Sequence, residues 1–162
     1  MNEGIISNWN MVVKPGDDVY ILGDIAMCSW KKAIGFIDRM NGTKYLVAGN
    51  HDKQLIRKPE FKKRFEWIKN LTQIKIPDPD ARDGKSQRIV LCHYAMLVWD
   101  RSHFDTWHLY GHSHGSMAWD TEARRMDVGI DAHNWFPISY EEVKATLTAR
   151  PGWTPIDHHG TH

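Results

Sequence analysis

Residues 18–52 read DVYILGDIAMCSWKKAIGFIDRMNGTKYLVAGNHD, and their pattern decides the fold. The first six, DVYILG, are a short apolar run bounded by turn residues, as in a strand buried within a parallel sheet. Ser29 stands where a helix cap is wanted, and Trp30, Ala33, Ile34, Ile37 and Met40 then recur at helical spacing. Asn41 and Gly42 close that helix, because both tolerate the left-handed backbone that ends one. Residues 44–48, KYLVA, form the next strand. Strand, helix and strand joined this tightly make a βαβ unit with parallel strands and one covered face. The fold class is α/β.

Working outward, Ile5, Ile6, Trp9 and Val12 predict an opening helix, which the KPGD of residues 14–17 stops. A basic stretch over 53–69 is expected to be helical. Residues 71–76 and 88–92 read as strands of a hairpin across a Pro, Asp and Gly-rich connection. Later strands are expected at 107–111 and 124–128. Ser139 and Glu142 form a capping box that opens a last helix over 140–147. With no repeat, low-complexity tract or central linker, residues 1–149 are expected as one domain and 150–162 as a loosely ordered tail.

Composition narrows the function. The chain has 162 residues, 41% of them apolar, and eight Trp, enough for a sizeable core. Its 21 basic and 20 acidic side chains leave a formal charge of +1. No global field therefore argues for nucleic acid or an anionic membrane. The basic side chains over 53–69 read as a solvated face. Cys28 and Cys92 each adjoin an apolar stretch and no export signal opens the chain, which fits a soluble protein of the reducing cytoplasm. No apolar run approaches the ~20 residues needed to span a bilayer.

The central observation is a recurrence. Asp24 follows YILG, Asn50 follows LVAG, His93 follows IVLC and His112 follows HLYG, so four metal-capable residues stand directly after four expected strands. In an open α/β sheet the carboxyl ends of strands share one crevice. Gly23, Gly49 and Gly111 precede three of the four and let the chain turn sharply with backbone close to a ligand. A mixture of carboxylate, amide oxygen and imidazole suits Mn, Fe, Zn or Ni, whereas a structural zinc site would favour thiolates.

In order, Gly23-Asp24, Gly49-Asn50-His51-Asp52, the lone His93 and Gly111-His112-Ser113-His114 resemble the motifs of calcineurin-like metallophosphoesterases. The resemblance implies a four-layer α/β sandwich holding two divalent metal ions. It implies that Asp24 bridges them, that Asn50, His93 and His112 complete one shell, and that His114 belongs to the other. It also implies a catalytic His51 oriented by Asp52, and a small phosphoester substrate attacked by metal-activated water. Trp99, Arg101 and His103, which follow the His93 loop, are candidate substrate contacts.

The family pattern opens with a strand ending in D-x-H, and that strand is missing upstream of the first expected helix. The chain is accordingly expected to be amino-terminally truncated, to keep one near-complete metal site, and to pair an open sheet edge with a second copy as a homodimer. The D-x-H matches at Asp131-Ala132-His133 and Asp157-His158-His159 fall in the wrong place in the order, and His162 joins the latter in the tail. Asp127 and Asp131 read as turn residues behind the ligands. Two alternatives stay open: a catalytically impaired, metal-binding scaffold, and a serine esterase using Ser113 of the G-x-S-x-G at residues 111–115.

Overall fold

The computed structural model describes residues 2–117 and 120–151. The chain begins with α1 (Asn2–Val12), β1 (Asp18–Ile21), α2 (Trp30–Ile37) and β2 (Thr43–Val47). The β1–α2–β2 unit has the parallel pairing its sequence predicts, with Tyr20 opposite Tyr45. Ser29 occupies the N-cap position of α2, but its side chain makes no capping hydrogen bond. Helix α1 docks on the corner where α2 returns to β2. The Trp9 indole N–H donates to the Asn41 carbonyl at 2.9 Å, and Arg39 pairs with Glu3 at 2.6 Å.

The basic stretch 53–69 is not one helix. It breaks into a 3-10 turn, Asp52–Gln54, a four-residue α3 (Pro59–Lys62) and β3 (Ile68–Lys69). Pro59 accounts for the break, since its ring disfavours helix at the preceding residue, and Lys58 is extended at φ −96 and ψ 119. Trp67 and Lys69 then accept backbone bonds from Leu46 and Ala48. That draws the segment into the first sheet, ordered β1-β2-β3 and parallel throughout.

The second sheet is ordered β4-β5-β6-β7, from β4 (Leu71–Pro77), β5 (Ser86–Cys92), β6 (Trp107–Tyr110) and β7 (Arg125–Asp127). β4 and β5 form the expected antiparallel hairpin, while β6 and β7 add in parallel. α4 (Tyr140–Thr148) follows, opened by the Ser139 and Glu142 capping box.

Alternation along the strands places the cores. Val47, Ile89 and Leu91 share a cluster with Leu22, Trp107, Met126 and the α4 residues Val143 and Leu147, so the two sheets share one interior. Leu46 points the other way, into Ala33 and Ile37 of α2 and Phe61 beside α3's end. Val90 likewise turns outward and is covered by Trp99, Ala123 and Met96. The architecture is a mixed α/β fold of two sheets. β1 is an edge strand of its sheet among the described residues. No described helix is long and apolar enough to cross a membrane. Most of the expected tail, including His158, His159 and His162, lies outside the described residues.

Candidate metal centre

Four strands that pair in parallel, two from each sheet, are each followed by one residue of a common cluster. Asp24 follows β1, Asn50 follows β2, His93 follows β5 and His112 follows β6. Ligand atoms of Asp24, His93 and His112 lie within 4.8 Å of one another. His93 is the hub. It is 1% exposed, and its Nε2 lies 3.0 Å from Asn50 Oδ1, 3.2 Å from His112 Nδ1 and 3.4 Å from Asp24 Oδ2.

The other ring nitrogen fixes the chemistry of this cluster. His93 Nδ1 stands 2.7 Å from the Leu22 carbonyl. A carbonyl only accepts, so Nδ1 carries the proton and Nε2 presents a lone pair in the neutral ring. That lone pair faces two oxygens and His112 Nδ1, which offers a lone pair of its own in the tautomer that carries its proton on Nε2. A proton on Nε2 would satisfy part of this set. A divalent cation satisfies all of it, and the donors suit Mn, Fe, Zn or Ni.

Backbone geometry is given over to the same arrangement. Asp24, His112 and His114 adopt left-handed backbone at φ 53, 65 and 49. Such conformations cost roughly 1–3 kcal/mol each for side-chain-bearing residues, and proteins retain them mostly at functional sites. Gly49 lets the two loops of the first sheet touch, for a Cβ there would stand 2.2 Å from Asp24 Oδ1. Gly23, at φ +92, likewise leaves no room for a Cβ beneath the His93 ring, 2.4 Å away.

Asp52 is fully buried and has a different task from the one expected. Its carboxylate accepts the backbone N–H groups of Asp24 at 2.8 Å, Gly49 at 2.8 Å and Ile25 at 3.1 Å. Both oxygens are thus occupied in knitting the Asp24 loop to the Asn50 loop, and Asp52 does not orient the His51 ring. That ring is exposed and has no hydrogen-bond partner among the described residues. Its backbone N–H donates to Asp24 Oδ1 at 2.8 Å, which anchors His51 beside the cluster.

His114 stands apart from the three-residue cluster. Its Nδ1 pairs with the Asp131 carboxylate, and that hydrogen bond, with the charge behind it, raises the imidazole pKa above its ordinary value. Asp127 secures the motif loop: its Oδ2 accepts from the Ser113 hydroxyl at 2.6 Å and the Gly115 N–H at 3.0 Å, and its Oδ1 from the Gly129 N–H at 2.8 Å. Asp127 is therefore the turn residue its position suggests. The Ser113 hydroxyl is committed to that carboxylate, and turn structure rather than helix follows through Met117. A nucleophile elbow requires the helix, so the serine-esterase alternative lacks its scaffold.

Arg101 and His103, expected against the substrate, do not join the cluster. The Arg82 guanidinium donates to the His103 carbonyl at 3.2 Å, and Arg101 lies over the Phe104 ring at 5.4 Å. Together with Ser86 and Arg88, Arg82 and Arg101 line a groove at the start of β5. His93 follows that strand's other end, roughly 20 Å away for seven extended residues. Trp99 is 5% exposed and donates its indole N–H to the Thr106 carbonyl at 2.8 Å, a core role.

Sequence reasoning passed over two residues here. His108, buried in β6, sits 3.1 Å from the Val90 carbonyl and accepts the Met96 N–H at 3.1 Å. Burial pushes its pKa down to about 4. Tyr94, beside His93, meets the His112 ring in a T-shaped contact with centroids 4.7 Å apart. A His inside the apolar run WHLY is the only signal that pointed to the first, and adjacency to His93 the only one for the second.

The sequence profile described as calcineurin-like phosphoesterase matches residues 3–160. An uncharacterized protein of Methanocaldococcus jannaschii is 27% identical over 148 residues, covering 87% of this chain and 72% of its own length. The gene 66 protein of Mycobacterium phage L5 is 31% identical over 147 residues, covering 76% of this chain and 70% of its own. A crystal structure of a protein of unknown function from Aquifex aeolicus superposes with a TM-score of 0.60 at 23% identity. It covers 89% of this chain and 83% of that one, a likeness of fold.

Proposed function

Because the chain belongs to the calcineurin-like phosphoesterase family, we propose that it hydrolyses a phosphoester, by preference a phosphodiester, at the Asp24, Asn50, His93 and His112 cluster loaded with a divalent cation such as manganese. The observation that carries this reading is the convergence on His93 Nε2 of Asn50 Oδ1, at 3.0 Å, and Asp24 Oδ2, at 3.4 Å. When bound, the cation supplies Lewis acidity and lowers the pKa of a coordinated water, and a second ion beside Asp24 and His114 would complete a binuclear centre.

The chain's own residues then have separate tasks. The His51 ring is exposed and has no hydrogen-bond partner among the described residues, so a ring nitrogen can hand a proton to the departing alkoxide. Asp52 keeps the Asp24 and Asn50 loops in register. The strained turns at Asp24 and His112 aim their side chains inward before any ligand arrives. Both cysteines are free thiols, which supports a cytoplasmic setting.

The test is elemental analysis combined with bis-aryl phosphate hydrolysis. Turnover that rises with added manganese and disappears with chelator supports the reading, as does slower cleavage of the aryl monoester. A protein that takes up no metal would overturn it. One observation favours a second reading: among the described residues the clustered candidate ligands are Asp24, His93 and His112, and His114 stands apart from them. A metal-binding scaffold on that basis predicts one tightly held ion and no turnover on either ester.

A further inference from the structure

Tyr94 is a large aromatic residue left 47% exposed at the rim of a polar centre. Its ring makes T-shaped contacts with the His112 ring and the His93 ring, with centroids 4.7 Å and 4.9 Å away. The hydroxyl has no hydrogen-bond partner among the described residues. Burial of apolar area does not explain the position, since half the side chain faces solvent.

The backbone beneath it is fixed. The buried His108 accepts the Met96 N–H, and the Arg125 guanidinium, paired with Asp120, donates to the Met96 carbonyl. The Tyr94 carbonyl itself lies 3.2 Å from His108 Nε2. The buried imidazole and the buried guanidinium thus hold the loop that carries the ring. Two further exposed apolar side chains stand on the loops that leave the cluster: Leu97 at 55% after His93, and Met27 at 78% after Asp24.

We propose that Tyr94 is the specificity-determining residue of the centre, an aromatic platform for the ester group that stays on phosphorus. The substrate class is a phosphodiester bearing a flat aromatic substituent of nucleobase type. An unadorned phosphate needs only charge and hydrogen-bond donors, and gains nothing from a half-exposed aromatic ring at the rim. A base or similar ring stacks on such a ring whatever its sequence identity, because every base has a π-face. The platform presupposes the phosphoesterase reading, but its binding role can be measured without turnover.

The experiment compares two diesters with the same leaving group, thymidine 5′-(4-nitrophenyl phosphate) and methyl 4-nitrophenyl phosphate, on the manganese-loaded full chain. Calorimetric binding of thymidine 5′-monophosphate to the same protein is measured in parallel. Wild type should prefer the thymidine diester. Tyr94→Leu should raise its KM about tenfold and weaken nucleotide binding about as much, leaving the methyl diester and metal content unchanged. Tyr94→Phe should behave as wild type. Equal losses on both diesters, or a drop in metal content, would make Tyr94 a structural residue and overturn the proposal. If wild type cleaves neither diester, the phosphoesterase reading fails, and the nucleotide titration alone decides the platform: a Tyr94-dependent affinity upholds it and its absence overturns it.

Discussion

The Nδ1–H of His93 donates to the carbonyl of Leu22 at 2.7 Å, joining the end of β5 in one sheet to the end of β1 in the other. One ring therefore bridges the sheets and offers its free nitrogen to the cluster.

His93→Ala should remove both functions. Metal content is expected to fall at least tenfold, and the buried Leu22 carbonyl left without its donor should lower the unfolding free energy by roughly 1–3 kcal/mol. Asn50→Ala, which removes a donor from the cluster but leaves the Leu22 carbonyl its partner, should lose metal with a smaller change in stability. Elemental analysis and urea titration of both variants check this. Retained metal in His93→Ala would contradict it.

Gly49→Ala and Gly35→Ala should diverge. At Gly49 the added carbon meets Asp24 Oδ1 and must displace it, so metal binding should collapse. At Gly35, within α2, nothing lies within 4 Å, and the substitution should stabilise the chain by about 0.5–1 kcal/mol through helix propensity. Denaturation midpoints and metal content separate the two outcomes.

Stability should depend on pH through His108. Its folded pKa lies near 4, below the ordinary 6.5 that holds once the chain unfolds. Between those values the unfolded chain binds a proton that the native chain does not. Stability is therefore full above pH 6.5 and lost as pH falls toward 4, by on the order of 3 kcal/mol over that interval. His108→Gln should flatten the slope in this window, as read from unfolding curves at stepped pH. An unchanged slope would mean that other groups carry it.

Chelation should destabilise the loaded protein. A cation present at a hundred times its dissociation constant adds about 2.7 kcal/mol, which for a chain of this size is roughly 5–10 °C in Tm. Thermal melts with and without chelator should show that difference in wild type and none in His112→Ala.

Much of this arrangement was legible in the sequence. Short apolar runs ending in Asp24, Asn50, His93 and His112 mark strands and ligands together, because a parallel strand buried on both faces leaves only its end for chemistry. The stretch 53–69 misled because charged residues at helical spacing look alike whether or not a proline interrupts them. Nothing local announced that Ile68 and Lys69 would pair with β2. Asp52 was misassigned since it adjoins His51 in sequence, while its oxygens serve amides of two different loops. Arg101 and His103 follow His93 closely, but a connection between parallel strands must carry the chain back to the sheet's opposite end. That rule, applied to the distance from β6, would have excluded them. The left-handed turns at Asp24, His112 and His114 leave no compositional trace, being imposed by the surrounding packing.

Asp24 and Asn50 arrive from one sheet, His93 and His112 from the other, so the gap between opposite donors is set by how thickly the sheets are packed. Leu22, Val47, Ile89 and Leu91 fill that thickness. The spacing of the candidate donors is in this sense written in the hydrocarbon interior.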